Sequence, residues 1–130
     1  MKVTCTATRL SSHHKQVMGL EADEEPNYPF VVGETYTVLG IHTQAGYYAG
    51  TMLHMPSPGG YIIPTPLCLF EVIDDRPSRY WRIQKYDDYH ITLWPEEFYQ
   101  EYFHDDLSDG VPEVIEIYNS VVKRLEKEFD

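Results

Sequence analysis

Val3, Cys5 and Ala7 alternate with Lys2, Thr4, Thr6 and Thr8, which is the period-two pattern of a half-buried strand rich in β-branched residues. Residues 11–29 break that rhythm. Ser11-Ser12-His13-His14-Lys15 and the acidic, proline-marked run from Glu21 to Pro29 carry neither a strand nor a helix period, so this stretch reads as a long loop. Alternation returns in the run from Phe30 to Ile41, where Tyr36 and Val38 face away from Thr35 and Thr37. Gly33 marks a turn or bulge there, a position suited to positive φ or a close backbone approach. Gln44-Ala45-Gly46 and Pro56-Ser57-Pro58-Gly59-Gly60 are turn signals that set off Tyr47 and Tyr48 from Tyr61-Ile62-Ile63. Extended runs follow at Leu67–Ile73, Tyr80–Ile83 and Tyr89–Leu93, divided by turns at Asp74-Asp75-Arg76-Pro77 and Tyr86-Asp87-Asp88. The pattern predicts about six short antiparallel strands before residue 94, arranged as a meander.

After residue 93 the period changes. Trp94-Pro95-Glu96-Glu97-Phe98 reads as a helix start, because Pro is tolerated in the first turn and carboxylates there complement the helix dipole. Phe98, Tyr102 and Phe103 would form its apolar stripe. A second helix is predicted from about Asp109-Gly110-Val111-Pro112 almost to the end, with Val114, Ile117, Tyr118, Val121, Val122, Leu125 and Phe129 at three- and four-residue steps. Lys123, Arg124 and Lys127 gather in its last turns, where cations are favoured. Strands first and helices last point to a single α+β domain over 1–130, strand-rich over 1–93 and helical over 94–130. The expected architecture is a bent antiparallel β-barrel or half-barrel closed by two C-terminal helices.

At 130 residues the chain has room for one domain, and 42% apolar with 14% aromatic residues argues for a folded one. Phe30-x-x-Gly33-x-x-Tyr36-x-Val38-x-Gly40-Ile41, Tyr61-Ile62-Ile63, Leu69 through Asp74, and Trp81 together resemble small bacterial proteins of SH3-like barrel type. Some of those look like immunity proteins of polymorphic toxin systems. The resemblance covers residues 30–83 and implies a barrel fold and, for the immunity proteins, inhibition of a toxin.

Charge sharpens that expectation. From Trp94 to Tyr118 there are eight acidic residues and no Lys or Arg: Glu96, Glu97, Glu101, Asp105, Asp106, Asp109, Glu113 and Glu116. The whole chain carries 21 acidic against 10 basic residues, a formal charge of −11. A field of that sign repels phosphate backbones and anionic lipid, which excludes nucleic acid and membrane surfaces and favours a basic protein partner, a toxin domain among them. These eight carboxylates, with Tyr99 and Tyr102 as aromatic anchors at the rim, are the candidate partner-binding residues. Arg76, Arg79, Arg82 and Lys85 are interleaved with Tyr80, Trp81 and Tyr86. In so acidic a chain they are expected to pair internally with the acidic helices and to stack on the aromatics.

Reactive chemistry is sparse. Cys5 and Cys68 are isolated and lie in strand-like runs, so both are expected as reduced core thiols. With no apolar leader at the N-terminus and no span-length apolar window, the expected compartment is the cytoplasm. His13 and His14 are neighbours whose side chains diverge on an extended chain, and His104 with Asp105 and Asp109 straddles a predicted break between helices. A Cys68–His90 pair would need an electropositive, partly exposed thiolate, whereas Leu67 and Leu69 flank Cys68 in a core-like run. Asp74-Asp75 and Asp87-Asp88 occupy turn positions. No catalytic residue, metal ligand or cofactor is therefore assigned. The function expected is a protein-binding inhibitor of the immunity or antitoxin kind, masking a basic surface with the acidic helical flank. The alternatives are an acidic interaction or regulatory domain without a toxin partner, and a small hydrolase using histidine and carboxylates, which a pocket joining His and Asp would favour.

Overall fold

The computed structural model describes residues 1–130. In chain order its elements are β1 (Lys2–Cys5), α1 (Ser12–Met18), β2 (Thr35–Thr37), β3 (Gly40–Gln44), β4 (Gly50–Pro56), β5 (Ile62–Pro66), β6 (Phe70–Asp74), β7 (Trp81–Asp87), β8 (His90–Pro95), α2 (Phe103–Ser108) and α3 (Pro112–Lys127). Single 3-10 turns occupy Leu67–Leu69 and Glu96–Tyr99. The protein is thus α+β, with two antiparallel sheets. One has three strands in the order β2-β1-β6, the other five in the order β5-β4-β3-β8-β7.

Val3 and Cys5 of β1 point inward by the alternation read from the sequence, and meet Met18, Leu53, Met55, Phe70 and Trp81 in the larger core. A second core lies against the helices. Leu39, which precedes β3, packs there with Phe98, Phe103, Leu107, Tyr118, Val121 and Leu125, so the stripe expected on α3 does bury. The buried indole of Trp81 joins the two by donating to the Leu39 carbonyl at 3.0 Å.

Four expectations change. Residues 11–29 are not simply a loop, because α1 lies within them. Ser11 Oγ caps it by accepting from the His14 amide at 3.1 Å, and Gly19 closes it in the left-handed conformation. Two turns are too few to display a period, and one of the two inward residues is a lysine. Lys15 is buried, and its ammonium donates to Glu25 at 2.6 Å and to the Ala22 carbonyl at 3.2 Å. Second, there are eight strands rather than six, since the run from Phe30 to Ile41 divides into β2 and β3, which join different sheets.

Third, Trp94 and Pro95 end β8 rather than beginning a helix, and α2 starts only at Phe103. Both Phe98 and Phe103 must reach the second core, where their rings stack at 5.0 Å. On a continuous helix, five positions apart would place them about 140° apart. The chain instead breaks between them, with Tyr102 at a left-handed φ of 62°. Fourth, Cys5 is buried but Cys68 is exposed, because the Leu67–Leu69 turn sends Leu69 inward and Cys68 out; both thiols are free. No helix is long and apolar enough to cross a membrane.

Candidate functional site

Side-chain alternation along paired strands builds the most structured site of the molecule. His42 on β3 sits opposite Thr92 on β8, and Gly40 sits opposite His54 on β4. His42, His54, Thr92 and Trp94 therefore share one face of the five-stranded sheet. A Cβ on Gly40 would lie 2.7 Å from Trp94 Cδ1 and 2.8 Å from the Leu93 carbonyl oxygen. Only hydrogen fits there, and Trp94 lies down over β3. Its ring comes within 5.2 Å of His54 and 4.7 Å of His104, which α2 brings over the sheet. His90, packed against Tyr86 with the rings tilted and 4.8 Å apart, completes the ring of imidazoles at 6.0 Å from His42. Four of the six histidines thus line one groove of about 420 Å³.

Hydrogen bonds settle the protons in this groove. Gln44 Nε2 donates to the carbonyls of Tyr47 at 2.8 Å and Tyr48 at 3.1 Å, which turns its Oε1 toward His42 Nε2 at 3.0 Å. That His42 nitrogen must then carry the proton, leaving Nδ1 to accept from His54 Nε2 at 2.6 Å. His54 Nδ1 is left as a lone pair, buried and without a partner. His104 Nε2 is likewise unpartnered, while the Phe98 main-chain carbonyl beside the ring favours a proton on its other nitrogen. Burial disfavours the charged forms. It pushes His54 down to about 3, helped by His42 and His104 nearby, and lowers His42 and His104 as well. The neutral forms of these three imidazoles are therefore favoured, and His54 Nδ1 and His104 Nε2 are left as acceptors.

The acidic residues lie beyond its helical end. Glu96 and Glu97 sit on the 3-10 turn with Tyr99, Glu101 follows, Asp105 and Asp106 ride on α2, Asp109 closes it, and Glu113 and Glu116 are on α3. Glu97 is committed elsewhere. Its carboxylate takes both terminal nitrogens of Arg124, at 2.8 and 3.0 Å, and Arg124 stacks over Tyr80 at 4.4 Å from the ring centre. Tyr99 is also a structural tie, its hydroxyl donating to the Arg82 carbonyl at 2.6 Å and lying 2.8 Å from Thr92 Oγ1. Tyr102, by contrast, is 66% exposed. A concavity of about 340 Å³ joins Glu101, Tyr102 and Asp105 to His104 and Trp94, so the flank and the groove adjoin.

The other candidates resolve individually. Arg76 is bound by Asp74 and covers the Phe129 ring at 4.2 Å, the Arg79 amide donates to Glu128, and Lys85 pairs with Asp88. Asp74 and Asp87 accept from the amides two residues on, as turn residues do. Cys68 lines a different concavity, with His13 and His14, and although the residue is exposed, partial desolvation of its sulfur there pushes the thiol up, away from the reactive thiolate. It does not meet His90. No three His, Cys, Asp or Glu side chains gather so as to hold a metal ion, and His104, Asp105 and Asp109 do not form such a group. The histidine groove was missed in the sequence because its members come from four elements; alternation of His42 with Gln44 and of His90 with Trp94 marks faces, not neighbours.

No protein-family model matches the chain, and no curated protein and no solved structure matches it significantly.

Proposed function

We propose that this chain is a cytoplasmic protein-binding inhibitor of the immunity type, which masks a basic surface of a partner such as a toxin domain. The observation that carries the reading is the state of the acidic flank: of its eight carboxylates only Glu97 is in an ion pair. Uncompensated charge of one sign on a folded surface costs self-repulsion and is relieved by a cationic partner. Tyr102, exposed at a left-handed backbone position, supplies an aromatic anchor beside it. The resemblance of residues 30–83 to SH3-like barrel proteins, some of which look like immunity proteins, supports the same reading. The test is kinetic. Lys at Glu101, Asp105, Asp109 and Glu113 should slow association with a basic protein partner by tenfold or more at low salt. Equal rates for both proteins at low and high salt would reduce the flank to a solvated face.

A hydrolase is the second reading, favoured by the concavity that joins His104 with Glu101 and Asp105. It requires turnover of an ester or amide substrate that His104→Gln abolishes.

A further inference from the structure

We propose that the histidine groove is the seat of one extended, arginine-bearing segment of the basic partner. This rests on the inhibitor reading and adds where, and through which groups, the partner is held.

Three concavities form one trough across the five-stranded sheet. The central groove shares His42, Gln44 and Pro64 with a concavity of about 360 Å³ at the Tyr28 and Tyr48 end. It shares Tyr86, Trp94 and His104 with the concavity that ends at Glu101 and Asp105. The trough runs across the strands. Five strands at about 4.8 Å spacing span about 19 Å, which is the length of about six residues of extended chain. No Lys or Arg lines any part of it, and its only formal charges are the two carboxylates.

The chemistry of the walls selects a donor. His54 Nδ1 and His104 Nε2 are lone pairs with no donor in the protein, shielded from water in the wall of the groove, so a segment seated there must shift that wall to reach them. Guanidinium is all donor and no acceptor. It also stacks on aromatic faces, and Tyr86, Trp94 and Tyr48 supply these along the trough. The unpartnered indole N–H of Trp94 is the one donor left over, suited to a main-chain carbonyl of the same segment. Glu101 and Asp105 at the end fix its direction by charge.

The probe is a capped peptide of about eight residues alternating arginine and glycine, titrated into the isotope-labelled full chain; a glutamate–glycine peptide is the control. Amide shifts at Tyr48, Tyr86, His90 and Trp94, saturating with the arginine peptide alone, are expected. Tyr86→Ala, at a position 48% exposed and therefore tolerant, should weaken binding tenfold or more with its spectrum otherwise unchanged. Glu101→Gln with Asp105→Asn should do the same. Shifts confined to residues 109–116, with Tyr86→Ala binding as well as wild type, would overturn the trough and leave the acidic flank as the partner's whole site. No saturable shift down to a Kd of about 1 mM would overturn the trough too. The association-rate experiment on the flank then judges the inhibitor reading separately.

Discussion

The histidine groove and the acidic flank adjoin, yet they are built by opposite means. The flank is a run of neighbouring residues, its charge carried on a short turn, two helices and the links between them, and almost none of it is engaged by the rest of the molecule. The groove draws His42, His54, His90 and His104 from β3, β4, β8 and α2, and most of its polar atoms are occupied or closed off from water. One region is therefore chemically open and structurally dispensable. The other is structurally demanding, and small changes there should be felt through the fold.

Their common support is the Phe98–Phe103 stack, so the largest effect is expected from removing it. Phe98→Ala should cost about 3–5 kcal/mol in denaturant unfolding, by lost burial and a residual cavity, and should loosen flank and groove together. A loss under 1 kcal/mol would mean that α2 docks by other contacts.

The next effects separate the regions. Gly40→Ala forces a Cβ into Trp94 and should cost about 1–3 kcal/mol, with a changed tryptophan near-UV signal. Acid should act on the groove as well. The pKa values of His42, His54 and His104 are lower in the folded protein than the unfolded value of about 6.5, so the unfolded chain binds more protons below that pH. Their contribution is complete above about pH 6.5 and is lost as pH falls through it. Unfolding free energy should drop by roughly 1–3 kcal/mol between pH 7 and pH 5, and His104→Gln should flatten that slope. Constant stability over this interval would contradict the buried neutral cluster.

Smaller effects belong to the flank. Glu97→Gln unties Arg124 from a partly exposed pair and should cost about 1 kcal/mol. Lys at Glu101, Asp105, Asp109 and Glu113 should change stability by no more than about 1 kcal/mol, because these exposed groups have no ion-pair partner, and the helix-dipole interaction lost at Asp105 and Glu113 is offset by relief of mutual repulsion. If that quadruple variant unfolds as readily as Phe98→Ala, the flank is part of the fold and the contrast between the regions fails.

What the sequence could determine by itself was whatever neighbouring residues encode. The alternation of Val3 and Cys5 placed them in the core, the three- and four-residue steps of Tyr118, Val121 and Leu125 gave α3, and the charge count between Trp94 and Tyr118 gave the flank. Tertiary structure decided the rest. Glu97 and Tyr99 stood among the open residues of the flank until Arg124, Arg82 and Thr92 claimed them from outside it. Cys68 read as core until a single turn reversed its direction, and α1 was too short to show a period. The histidine groove depends on strand register and on the missing side chain at Gly40, through which Trp94 reaches His54 and His104. Periodicity tells which face a side chain takes, but pairing between distant strands decides what it meets there.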